Sequence, residues 1–108
     1  MNRGEVYWVD LEPSRGSEAN KLRPCVIVSR DASNRASTIL TVVPITSNVS
    51  KIYPFDVALP DSLDRPCKAQ ANQVRTVSKE RLSGSVIARL SPAEIRALDA
   101  ALRLHLAL

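Results

Sequence analysis

Residues 5–11 read EVYWVDL, a run dominated by β-branched and aromatic residues with no Gly or Pro to break the backbone. Such a composition fits a pleated, half-buried surface, so the run is read as a first strand, with Val6 and Trp8 on one face and Tyr7 and Val9 on the other. Working outward, residues 12–22 (EPSRGSEANKL) are too polar to pack and include Pro13 and Gly16. They mark an exposed connection of a length that often covers a site. Residues 24–29 (PCVIVS) form a continuous apolar run and read as a buried strand, and residues 30–38 (RDASNRAST) as a second polar loop. The β pattern resumes at residues 39–46 (ILTVVPIT), where Pro44 has no N–H for a ladder bond. It is expected at an edge or bulge that interrupts the strand just before Thr46. Further strands are expected at residues 55–59, 69–77 and 86–90, with one helical turn at residues 78–81.

The far end of the chain changes period. Ser91-Pro92-Ala93-Glu94 places a capping serine, a first-turn proline and a capping-box glutamate at the offsets that start a helix. Ile95, Leu98, Leu102 and Leu106 recur at helical spacing and are expected to face the core, while Arg96, Asp99 and Arg103 make a narrow polar edge. Ala97, Ala101, Leu104 and Leu108 form a second apolar stripe, which we assign to a partner subunit. The whole reads as a mainly β fold with a C-terminal helix, in a compact barrel-like sheet. With 108 residues and no repeat, linker or charge block, it is expected to form one domain spanning residues 1–108.

Composition narrows the function classes. Hydrophobic content of 44% and charged content of 24% are those of a folded protein, and 3 Gly and 7 Pro argue against low complexity. The net charge of +4, carried mostly by Arg, suits phosphate binding without establishing it. The start of the chain runs straight into a strand, and no apolar stretch approaches membrane-spanning length, so a cytoplasmic location away from membranes is expected. Cys25 and Cys67 lack metal or redox spacing and are expected as buried, reduced thiols.

Searching for catalytic sets returns informative absences. His105 is the single histidine, so a histidine pair working as acid and base is excluded. Asp, Glu, His and Cys show no zinc spacing, and no glycine-rich phosphate loop is present, so no metal or cofactor is expected. What remains is a set of Arg, Thr, Ser, Gln and Asn residues where strands meet loops, a pattern suited to phosphate chemistry.

Here the motifs themselves point to a family. Gly16-Ser17-Glu18, then Arg23-Pro24 and the run Cys25-Val26-Ile27-Val28-Ser29, resemble the MazF/PemK toxin endoribonucleases. Gly4-Glu5-Val6-Tyr7-Trp8-Val9-Asp10 is similar to the family's opening strand, and Pro44-Ile45-Thr46-Ser47 to its central motif. Tyr53-Pro54-Phe55 and Gln73-Val74-Arg75-Thr76 follow in the family's order, so the resemblance spans nearly the whole chain. It implies a small SH3-like barrel of the PemK/CcdB type, a homodimer, and a toxin that cuts single-stranded messenger RNA without metal. The products would be 2′,3′-cyclic phosphate and 5′-hydroxyl ends, and a MazE-like antitoxin segment would be the second partner.

Arg23 matches the family's catalytic arginine and Thr46 its catalytic threonine, with Ser47 in support. Gln73 and Arg75 match positions lining the substrate groove. Asn34 and Lys51 are further candidates for such contacts, from loops only. Arginine holds its proton too firmly to be an ordinary base, which leaves Glu18 as the carboxylate with a base or loop-orienting role. The aromatic residues Trp8, Tyr7, Tyr53 and Phe55 are assigned to core or interface instead of base stacking. Two rivals use the same fold or charge: a CcdB-like toxin that binds DNA gyrase without cutting RNA, and a general basic RNA-binding domain. Arg23, Thr46 and the G-S-E loop belong to the nuclease pattern and a gyrase binder has no need of them, while a general RNA-binding domain would show salt-dependent binding without cleavage.

Overall fold

The computed structural model describes residues 1–11 and 22–108. Seven strands form one mainly antiparallel assembly: β1 (Glu5–Asp10), β2 (Leu22–Ile27), β3 (Ile39–Thr46), β4 (Asp56–Ala58), β5 (Lys68–Gln70), β6 (Arg75–Ser78) and β7 (Leu82–Arg89). Along the sheet the order is β4-β5-β3-β2-β1-β7, with β6 also paired to β3, so the sheet curls without closing. Two helices, α1 (Asp31–Ala36) and α2 (Pro92–Leu106), complete the architecture.

The uninterrupted apolar runs of β2 and β3 are explained by burial on both faces. Val6, Val26, Val43 and Ile45 point to one cluster, which Leu98 and Ala101 of α2 cover. Tyr7, Val9, Cys25, Ile27, Leu40 and Val42 point to a second, closed by Val77 of β6 and by Leu82 and Val86 of β7. A strand buried on two sides has no reason to alternate polar with apolar residues. Both cysteines are buried and unpaired.

Pro44 lies within a central strand, not at an edge, and β3 runs unbroken to Thr46. The reason is a change of partner. Along one edge of β3, Ile39 to Val42 pair with β6 and pairing resumes with β5 at Ile45 and Thr46. Pro44 falls in the gap between these partners, where a missing N–H costs no ladder bond. The expected single strand at residues 69–77 is likewise split: β5 ends at Gln70, a 3₁₀ turn at Ala71–Gln73 redirects the chain, and β6 follows. The polar segment after β2 contains α1 in place of a plain loop. It is fastened by Asn34, whose Nδ2 donates to the Ser29 carbonyl at 3.0 Å, and by Ser29 Oγ, which accepts the Thr41 N–H.

Helix α2 starts as expected, with the reciprocal Ser91–Glu94 capping box and Pro92 in the first turn. Its faces divide differently. Leu98 and Ala101 are buried and Ile95 and Leu102 partly so, whereas Leu106 is exposed together with Leu104 and Leu108. The helix outruns the sheet, so its last turn has nothing to pack on. Arg3 binds it near its middle: the guanidinium donates to Asp99 at 2.6 Å and, through Nε, to the Val28 carbonyl at 2.8 Å. Gly4 lets the chain pass between them, at φ +91°, with the site of a Cβ only 3.0 Å from the Ile95 side chain. Gly4→Ala therefore carries left-handed strain and a clash, and is expected to lose about 1–3 kcal/mol in urea unfolding. Stability equal to the parent would show that this crossing is not tight.

Candidate active site

The site is set by strand register. Across β2 and β3, Cys25 faces Pro44 and Val26 faces Val43. The β2–β3 ladder ends at Cys25 and Pro44; two residues beyond them lie Arg23 on β2, which stands opposite Val9 of β1, and Thr46 on β3. Arg23 and Thr46 line one cavity of about 780 Å³ at the end of the sheet, where β2 begins and β3 stops. Because the strands end here, groups from both faces reach the same space.

Thr46 Oγ1 accepts the Asn48 N–H at 3.1 Å, a local turn that fixes the oxygen and leaves its proton free to donate. Arg23 is exposed and has no carboxylate within ion-pair distance among the described residues. Arg75 pairs with Val42, which puts it on the same face. Both cations act on Cys25: burial pushes its thiol up to about 12, while the Arg75 and Arg23 guanidinium groups pull the other way. An inert buried thiol thus sits below two arginines with no acidic partner of their own among the described residues.

Two buried carboxylates mount the walls of the cavity. The first is Glu94, whose carboxylate accepts the backbone N–H groups of Ser91 at 2.9 Å and Asp61 at 2.8 Å, and also the Ser62 hydroxyl. It ties the segment carrying Ser62, Asp64 and Arg65, which line the cavity, to the start of α2. Burial pushes the Glu94 carboxyl up, but the hydrogen bonds from Ser62, Ser91 and Asp61 outweigh it and hold the group below its ordinary value of 4.5.

The second is Asp56, paired with Lys68 at 2.8 Å, both side chains enclosed. Asp56 Oδ2 also accepts the Tyr53 N–H, and Lys68 Nζ donates to the Lys51 carbonyl at 2.6 Å. Lys68 stands opposite Thr46 in the β3–β5 register, so this pair anchors the segment that leaves Thr46. Tyr53 stacks on Phe55 with ring centroids 5.6 Å apart and lies 5.6 Å from Lys68 Nζ.

Of the residues proposed from sequence, Arg23, Thr46 and Ser47 meet at the cavity. Gln73 is exposed on the 3₁₀ turn and Arg75 is exposed on β6, both away from the cavity lining. Lys51 is exposed, with its carbonyl engaged by Lys68. Asn34 is buried and bonded to Ser29, a structural position in α1 instead of a loop. Glu18 and the G-S-E motif lie outside the described residues. Sequence reasoning missed Trp8, assigned to core or interface but exposed and lining the cavity, and the Ser62–Arg65 wall, which carries no motif. Among the described residues, no three His, Cys, Asp or Glu side chains group as metal ligands.

An unpaired guanidinium and an oriented hydroxyl at one groove of a basic chain make a site for a phosphate-bearing substrate. Comparison with known proteins gives the lineage. Residues 2–106 match the family of PemK-like, MazF-like toxins of type II toxin–antitoxin systems. The chain is 51% identical to the endoribonuclease MazF9 of Mycobacterium tuberculosis, covering 98% of this chain and 96% of that one. It is 35% identical to the endoribonuclease MazF of Staphylococcus saprophyticus, covering 97% and 93%. Among solved structures, a mycobacterial endoribonuclease in complex with its cognate antitoxin superposes with a TM-score of 0.84 at 29% identity, covering 100% of this chain and 96% of that one. The chain belongs to the PemK/MazF toxin family.

Two stability measurements test how the walls are mounted. Lys68→Met leaves Asp56 charged and buried without its partner, so chemical unfolding is expected to show a loss of about 3–5 kcal/mol. A loss below about 1 kcal/mol would mean that the pair is solvated. For Glu94, a depressed folded pKa adds stability that is present above the unfolded value near 4.5 and is lost as pH falls through the lower folded value. The stability gap between the parent and Glu94→Gln is therefore expected to be widest at neutral pH and to narrow in acid; a gap independent of pH would contradict this origin.

Proposed function

We propose that this chain is an endoribonuclease toxin that cuts single-stranded RNA in the groove holding Arg23 and Thr46. The observation that carries the reading is that the two family-matched residues, Arg23 and Thr46, line one cavity. Family membership favours this over the gyrase-binding and passive RNA-binding alternatives.

The chemistry follows from what these side chains can do. The ribose 2′-oxygen attacks the adjacent phosphorus, a P–O2′ bond forms and the P–O5′ bond breaks, giving a 2′,3′-cyclic phosphate and a 5′-hydroxyl. The 2′-proton passes to a base, for which Glu18 is the candidate, and the departing 5′-oxygen takes its proton from water. Arg23, always protonated, offsets the charge growing on the non-bridging oxygens through its fork of donors. Thr46, held by Asn48, donates its hydroxyl to the same group, and Ser47 lies beside it. Gln73, Arg75 and the exposed Lys51 contact RNA outside the cavity. No step calls for a metal.

The partners follow from the same groove. An acidic antitoxin segment fits a chain of +4 charge and would compete with RNA. The exposed leucines at the end of α2 are assigned to a homodimer contact. No helix among the described residues is long and apolar enough to cross a membrane, and we place the protein in the cytoplasm, where its substrate is.

The test is cleavage of a long single-stranded RNA in excess EDTA, with end mapping, beside Arg23→Ala and Thr46→Ala. The parent is expected to cut at short sequences, and each variant to lose about 10²–10³-fold in rate, the scale of one transition-state donor. Intact RNA with the parent would overturn the nuclease reading, and loss of cutting on chelation would overturn its metal-free form.

A further inference from the structure

Trp8 is the single tryptophan of the chain, and 42% of it is exposed although it sits in an interior strand of the sheet. Its setting explains why. Trp8 faces Pro24 across β1 and β2, and Ile45 of β3 lines the cavity with them. The three lie one residue along the strands from Arg23 and Thr46 and so on the opposite face, and the two faces meet where the strands end. On the other side the edge strand leaves the ladder. β7 pairs Ala88 with Val6 and Ser83 with Trp8, so residues 84–87 stand against Tyr7 alone. Gly84, at φ +74° with no neighbour within 4 Å of its Cβ position, makes that departure possible. Trp8 itself stays paired with Ser83, and Ile87 of the bulged stretch lines the cavity with it.

The groups around these residues are not those of a plain phosphate site. Arg23 and Arg65 both line the cavity, and neither has an ion-pair partner among the described residues. Asp64 lines it as well. A carboxylate repels phosphate but accepts from the amino groups on base edges, so its presence marks a place for a base between backbone contacts. The volume of about 780 Å³ lies within the range of small-ligand sites, roughly 300–1,000 Å³, and exceeds what a phosphate fills.

We propose that Trp8 is the stacking platform of a nucleobase subsite, taking the base of a nucleotide next to the scissile phosphate, with Asp64 on that base's edge and Arg65 on the following phosphate. The proposal rests on the ribonuclease reading. Stacking on an indole is tolerant of base identity, so Trp8 supplies affinity and register on the strand while polar groups supply choice. Trp8 is then a binding residue that sets where the 2′-hydroxyl falls relative to Arg23 and Thr46.

The single tryptophan makes the test direct. A 2′-O-methyl oligoribonucleotide spanning a mapped cut cannot be cleaved there, and its binding is followed by anisotropy and by Trp8 emission together. The expected result is a quench that saturates with binding. The same probe with an abasic site at the flanking position is expected to bind more weakly and without the quench. In cleavage assays Trp8→Leu, which keeps apolar bulk but loses the π face, is expected to raise KM by roughly 5- to 150-fold, the range of base stacking, with kcat within a few-fold. Trp8→Phe is expected to stay near the parent. Saturated binding with unchanged emission, or an unaltered KM in Trp8→Leu, overturns the subsite alone. Conversion of a dimer to monomer by Trp8→Leu, with emission blind to the probe, assigns the surface to a second copy and also overturns it. A parent that neither binds nor cuts RNA overturns the ribonuclease reading and the subsite together.

Discussion

In an antiparallel pair, a slip of one residue moves every side chain of a strand to the opposite face. For β2 and β3 that slip would exchange the contents of two separate hydrophobic clusters, because both strands are buried on both sides. The Cys25–Pro44 register is therefore fixed by packing, and the position of the site follows from it. Val26 and Val43 share one core while Cys25, Ile27 and Val42 share the other, and this fixes where the ends of β2 and β3 that carry Arg23 and Thr46 fall. The polar pair sits at the open end of a row whose buried members have no freedom to shift.

The cavity walls depend on a different kind of contact. Residues 60–67 and 47–55 have few apolar anchors, and each is held by one enclosed carboxylate. Glu94 both caps α2 and gathers the Asp61 and Ser62 donors, so the start of the helix and one wall move as a unit. Asp56 and Lys68 do the same for the chain leaving Thr46. Buried ion pairs give little net stability against apolar alternatives, but they specify one geometry, because a misplaced partner leaves a charge stranded. Asp56 Oδ1 has no hydrogen-bond partner among the described residues, so this pair already holds less than its full complement of bonds.

Much of this was legible in the sequence, and the failures have physical causes. The apolar runs gave β1, β2 and β3, and Ser91, Pro92 and Glu94 gave the start of α2, because burial and capping leave strong local signals. Pro44 misled, since its missing donor was read as an edge when it marks the gap between two partners of one strand. Helix α1 was hidden because only Asn34 of its six residues is buried, which leaves no periodicity to detect. Arg23 and Thr46 were legible through motif order. The Ser62–Arg65 wall was not, because it is brought to the site by Glu94 from more than thirty residues away. Trp8 is exposed where the end of the sheet meets the cavity, an arrangement that the local sequence around Trp8 does not reveal.

The first strand borrows its second edge from nearly the last. β1 pairs with β7, and Arg3 and Gly4 close on α2, so the two ends of the chain are bound into one structure. On the ribosome, β1 emerges early and waits for most of the polypeptide before that edge is filled, a non-local closure of the slow kind. Ile87 of the cavity wall arrives only with it. A chain cut short before β7 therefore lacks Ile87 and the second edge of β1, and with them a complete groove.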